Sequence, residues 1–159
     1  LVDGNLSDYS KESFASYLNG SKGTLPGKAT AESFKAKMNA SYKKYTGKSL
    51  TDYSYGAETY DAVILAAIAA QAAGKATGEA IKGQLTAVSL TGKGKTTVTS
   101  FAAALKAIKA GKKVNYDGFS GPVEFDSNGD PTGAFIGIYK YDAAGKYNLV
   151  RTVAGNSTK

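Results

Sequence analysis

Apolar side chains recur at helical spacing in four stretches of this chain. Phe34, Met38, Tyr42 and Tyr45, running from a Thr30 cap to Gly47, predict a helix over 30–45. Tyr60, Val63, Ile64, Ala67, Ile68 and Gln71, closed by Gly74, predict a second over 57–73. Ile81, Leu85 and Val88 mark a third over 78–87, and Phe101, Leu105 and Ile108, ending at Gly111, a fourth over 99–110. A shorter amphipathic helix is predicted from Ser10 to Leu18, carrying Phe14 and Tyr17, and an extended piece at 23–25 is cut off by Pro26-Gly27. Beyond Gly111 the period changes to two. Strands are predicted near 123–125, 135–141 and 147–153, separated by turn clusters at 126–133 and 142–146, and the polar end from Gly155 to Lys159 is expected to fray.

This order creates a packing problem. Phe34, Met38 and Tyr42 on one helix, Val63, Ile64 and Ile68 on another, and Phe101, Leu105 and Ile108 on a third each form an apolar face. Few predicted strands lie among them to provide cover. Burial releases about 25 cal/mol per Å² of apolar surface, so an uncovered face favours a second copy or a partner, and the chain is expected to self-associate.

Composition narrows the chemistry. The 159 residues are 42% hydrophobic and 11% aromatic, which is a globular rather than a disordered makeup. Cysteine and histidine are both absent, so thiolate, disulfide and imidazole chemistry are closed to this sequence. The net charge of +7 is spread over lysines that flank the apolar helix faces, as on a solvated surface. Arg151 is the only arginine; forked base and phosphate contacts favour arginine, and no nucleic-acid partner is expected. The longest apolar run, Ala62 to Ala70, is too short to span a bilayer and reads as a buried helix.

Gly92-Lys93-Gly94-Lys95-Thr96 has the ending of a phosphate loop, but the first glycine of that pattern would fall at Ser89 and no predicted strand leads into it. A flexible loop between two helices is the expectation there. Asp126-Ser127-Asn128-Gly129-Asp130 starts like a calcium loop, yet Pro131 and Gly137 occupy its sixth and twelfth positions. An Asx-type turn with Gly129 at positive φ is the better account, and no metal or other cofactor is expected. No local pairing of acids suggests a general acid or base, so the chain is expected not to be an enzyme.

Two separated signatures carry a family likeness: Tyr60-Asp61-Ala62-Val63-Ile64-Leu65-Ala66-Ala67 opening the second helix, and Gly118-Phe119-Ser120-Gly121-Pro122-Val123-Glu124-Phe125-Asp126 with its turn to Asp130. Leu25-Pro26-Gly27, the step from Gly111 to Tyr116 and Tyr139-Lys140-Tyr141 keep the same register. Together they resemble the carboxyl-terminal half of the type I periplasmic solute-binding proteins, the branched-chain amino acid receptor family of ABC importers. The resemblance implies an incomplete α/β fold of that type, with helices followed by a C-terminal strand hairpin. Residues 1–26 would be the remainder of a second lobe, 27–118 the C-terminal portion of the first, and 119–159 the crossover and returning strands of the second.

The implied function is extracytoplasmic and non-enzymatic: closure of two lobes around an amino acid or similar small solute, read by an ABC permease. In the resembled receptors an acid in the loop at Val2-Asp3-Gly4 accepts hydrogen bonds from the ligand ammonium, which singles out Asp3; it would serve equally as an ordinary turn aspartate before Gly4. Tyr53 and Tyr55 fall where that family lines the mouth of its cleft with aromatics, and packing is the alternative for both. The groups that hold the ligand carboxylate in that family would lie upstream of Leu1. A reading from another class, an extracellular adhesion or carbohydrate-binding module, is suggested by eleven tyrosines and high glycine and would require a β-rich frame with exposed coplanar tyrosines.

Overall fold

A computed structural model of the protein describes residues 1–156. The described chain is mixed α/β, with four α-helices and two three-stranded sheets, and it divides into two compact units, Leu1–Ala29 with Ala134–Asn156, and Thr30–Gly133. Residues 119–133 group with the second of these.

That second unit holds α1 (Glu32–Thr46), α2 (Gly56–Ala73), α3 (Gly78–Ser89), β2 (Lys95–Val98), α4 (Phe101–Lys109), β3 (Lys113–Gly118) and β4 (Gly121–Pro122). All four helices fall where the hydrophobic period places them. Their ends follow from ordinary capping. Thr77 and Ser100 accept the Ala80 and Ala103 amides at 3.3 and 3.2 Å to open α3 and α4, and Gly47 and Gly74 close α1 and α2 in the left-handed region. The N-cap of α1 is Ala31 rather than Thr30.

The expected loop at 92–96 is corrected by β2, which pairs in parallel with β3 from Lys95↔Lys113 to Val98↔Tyr116, with α4 as the crossover helix. Four residues are too few to show alternation. In β3 the consecutive residues Val114, Asn115 and Tyr116 are all buried, so both faces are covered and no two-residue period is visible. The strand expected at 123–125 is absent: β4 stops at Pro122, and an isolated Phe125↔Pro131 bridge follows. Proline supplies no backbone donor at either point.

The small sheet changes the packing problem. Leu65, Ile68 and Ala69 of α2, Val88 of α3 and Ala104 and Ala107 of α4 pack with Val98, Val114 and Tyr116 into one core. Ile64, Phe101 and Ile108 lie partly buried against it. The strands within the chain therefore do cover α2, α3 and α4, contrary to the expectation of bare faces. Exposure persists at Val63 (64%) and along the outer turns of α1, at Tyr42 and Tyr45.

The other unit contains β1 (Lys22–Pro26), β5 (Gly133–Tyr141) and β6 (Tyr147–Asn156) in the order β1-β5-β6, with β1 antiparallel to β5 from Lys22↔Lys140 to Pro26↔Ile136. Leu6, Leu25 and Tyr141 form its core, ringed by Tyr9, Leu18, Tyr139 and Tyr147. The Tyr141 hydroxyl accepts the Ser7 amide at 3.1 Å and donates to the Ser7 carbonyl at 2.8 Å. In place of the helix expected over Ser10 to Leu18 there are turns and a 3-10 segment, Ala15–Leu18. Tyr17 is 87% exposed, so that stretch has no single buried stripe to stabilise a full helix. β6 runs through Gly155 to Asn156 rather than fraying there; residues 157–159 of the expected frayed end lie outside the described residues.

Candidate functional site

Two arrangements meet at the start of α2. The first is closed. Asp61, only 1% exposed, lies on the same helical stripe as Ala57, Leu65 and Ile68, where an acid needs full compensation. Its Oδ1 accepts the Tyr116 hydroxyl at 2.7 Å and the Phe119 amide at 3.1 Å. Its Oδ2 accepts both the amide and the hydroxyl of Ser120 at 2.6 Å. Phe119 and Ser120 are the two loop residues of the β3–β4 hairpin, whose last pair is Gly118↔Gly121.

The two family signatures are thus physically one structure, a helix carboxylate holding a hairpin tip. Gly118 is required by this approach, since a Cβ there would collide with the Asp61 carboxylate. Burial, followed by the hydrogen bond to Asp61 and its charge, pushes the Tyr116 hydroxyl well above the ordinary tyrosine pKa. All polar capacity of this cluster is spent on holding the fold.

The second arrangement is open. Between α1, the loop after it and the first turn of α2 runs a groove of about 560 Å³, lined by apolar and aromatic groups including Phe34, Met38, Tyr42, Leu50, Tyr55 and Tyr60. Two of its lining rings pack into an aromatic cluster with Phe119 behind them: Phe34 stacks on Phe119 with centroids 4.1 Å apart, and Tyr60 meets both rings edge-on at 5.2 and 5.6 Å. The loop is held by Asn39, whose Oδ1 accepts the Leu50 amide at 2.8 Å. Gly56 lets α1 come close, because a Cβ at that position would strike the end of Met38. The volume is that of a small-molecule site.

Lys37 is the one charged side chain in the lining among the described residues. Its ammonium donates to the Tyr60 hydroxyl at 3.0 Å and stands 4.7 Å from the centre of that ring. Neither contact neutralises it. The nearby Glu32 is engaged with Lys35 at 2.8 Å.

Of the residues singled out from the sequence, Tyr55 is on the groove wall and 42% exposed. It is the one non-glycine with positive φ among the described residues, at φ 58 and ψ 6, a conformation that costs about 1 kcal/mol or more in a bulky residue. Tyr53 does not line the groove; its half-buried ring lies under the Lys35 ammonium at 5.8 Å, and its carbonyl accepts the Gly56 amide at 3.0 Å. Asp3 belongs to the other unit. It is exposed, opens the 3-10 turn Asp3–Asn5, and its Oδ1 accepts the Gly4 amide at 2.8 Å.

Sequence reasoning passed over Lys37, Tyr60 and the role of Asp61. The last left a legible signal, an acid on the buried stripe of an apolar helix. Lys95, the lysine of the phosphate-loop pattern, instead donates to the Ala87 and Leu90 carbonyls at 2.5 and 2.7 Å, closing the C-terminal end of α3. Asp126 makes the expected Asx turn, its Oδ1 accepting the Asn128 and Asp130 amides at 2.8 and 3.0 Å with Gly129 at φ 88.

The described residues thus combine a mixed α/β frame, a buried acid engaged in structural bonds and an open aromatic groove of ligand size. The chain belongs to the family described as receptor family ligand binding region, of the type I periplasmic binding protein-like kind, which matches residues 5–142. Members of that family bind small molecules without catalysing a reaction on them. No curated protein and no solved structure matches the chain. None of the described helices is long and apolar enough to cross a membrane.

Proposed function

We propose that this chain supplies solute-binding groups to an extracytoplasmic receptor of an ABC importer, and that the solute is an amino acid or a similar small molecule. In this reading Asp3 accepts the solute ammonium through charge-assisted bonds, Tyr53 and Tyr55 border the binding cleft, and a permease reads the liganded form. The observation that carries it is Tyr55. A strained aromatic at the rim of a ligand-sized groove, in a chain of a ligand-binding family, is what a positioned recognition residue looks like.

Self-association remains part of this reading, with the outer turns of α1 as the face still to be covered. Calorimetry with a panel of amino acids tests the assignment. This chain alone should give no appreciable saturable heat, because the opposing groups that would hold the ligand carboxylate are expected outside it. A clear saturable heat would mean that the site lies elsewhere. In the two-lobed receptor one amino acid should bind saturably, and Asp3→Asn should weaken it by roughly 1.5–3 kcal/mol, the range for a lost charge-assisted hydrogen bond. Saturable binding that neither Asp3→Asn nor Tyr55→Ala alters would take both residues out of the site.

A further inference from the structure

The groove beside α1 has a recognition pattern of its own, distinct from an acid that meets an ammonium. Among the described residues its lining is mostly aromatic and aliphatic, with a few hydroxyls, contains no acidic side chain, and carries one cation, Lys37. That cation is held in place by the Tyr60 hydroxyl and the faces of Tyr60 and Phe119, at 4.7 and 5.8 Å from their centres. All of these partners are uncharged, so among the described residues nothing neutralises its charge.

Gly56, Thr59 and Tyr60 bring the first turn of the 18-residue helix α2 to the same wall, and no side chain caps that end. The helix start adds partial positive charge in the same place, offset in part by Glu58 in that first turn, which does not line the groove. Flat rings in the lining favour a flat apolar body, and one unneutralised cation favours one anionic group.

We propose that this groove binds an aromatic monocarboxylate, with the ring against Phe34, Met38 and Tyr55 and the carboxylate on the Lys37 ammonium beside the Tyr60 hydroxyl. The site needs no contribution from Asp3 and does not rest on the importer reading.

The test compares 4-phenylbutyrate with its uncharged counterpart 4-phenylbutyramide on the 159-residue chain, by calorimetry and by tyrosine fluorescence. The acid is expected to bind saturably and roughly fivefold to tenfold more tightly than the amide, as for one partly exposed charge-assisted contact. Lys37→Met should erase that preference while leaving amide affinity in place; Lys37→Arg should retain it, and Asp3→Asn should leave both affinities unchanged. Lys37 is exposed, and Lys37→Gln offers the same comparison through a polar side chain. Equal affinity for acid and amide, no saturation by the acid at millimolar concentration, or a preference that survives loss of the Lys37 charge would each overturn the proposal. Loss of amino acid binding by Asp3→Asn in the two-lobed receptor, with this preference intact, would separate the two sites.

Discussion

Residues 60 and 61 are neighbours at the start of α2, and the two sides of that helix end are built on opposite principles. On the Asp61 side every polar atom has a partner within the chain, and the carboxylate is sealed under the β3–β4 hairpin. On the Tyr60 side the rings of Phe34 and Phe119 are packed, but the groove above them leaves Tyr42 40% and Tyr45 79% exposed, and Lys37 has no counter-charge among the described residues. The first side stabilises; the second is free to bind. A charged residue is therefore informative about function only once its partners are counted, because the more deeply buried acid here is the one with nothing left to offer a ligand.

The comparison can be broken most severely at Asp61. Asp61→Ala strands the Tyr116 hydroxyl, two backbone amides and the Ser120 hydroxyl, and is expected to destabilise the helical unit by about 3 to 5 kcal/mol in urea unfolding. A loss under about 1 kcal/mol would mean that the hairpin tip is not held by this carboxylate. Gly118→Ala acts on the same contact: the added methyl displaces the Asp61 carboxylate and weakens part of its hydrogen bonding without removing the acid, at an expected cost of about 1 to 3 kcal/mol.

Alkaline pH should find the same weakness. Burial raises the pKa of Tyr116 above the ordinary value of 10.0, aided by Asp61, and burial likewise raises Tyr141 in the other unit. A phenol whose folded pKa exceeds its unfolded one keeps its proton more firmly in the native state. Its contribution is full below about pH 10 and is lost as pH rises beyond that. Thermal melts should accordingly fall above that pH, and Tyr116→Phe should flatten part of the fall. A melting temperature that stays constant well above that pH would contradict it.

The smallest effect sharpens the contrast from the open side. Tyr45→Ser should change unfolding stability by no more than about 0.5 kcal/mol, since little of that ring is buried. A larger loss would show that the outer turns of α1 are covered in solution, as self-association would require.

What the amino-acid sequence determined by itself is the run of helices and their ends. Apolar residues at 34, 38 and 42 or at 64 and 68 recur with a local period, and Gly47, Gly74, Thr77 and Ser100 act through backbone geometry that needs no distant partner. The joined signatures around Tyr60-Asp61 and Gly118-Phe119 were likewise visible as residue types. Tertiary structure decided the rest, for a physical reason common to all of it: the deciding partners are far apart in the chain. β2 and β3 become strands by pairing across α4, and three consecutive buried residues in β3 leave no alternation to read. Asp61 becomes a structural clamp only when residues 116–120 fold over it, and Lys37 becomes the cation of a groove only when α1 lies against the start of α2. Local period reports which face of an element is apolar; burial, charge pairing and the space left open depend on what that face meets.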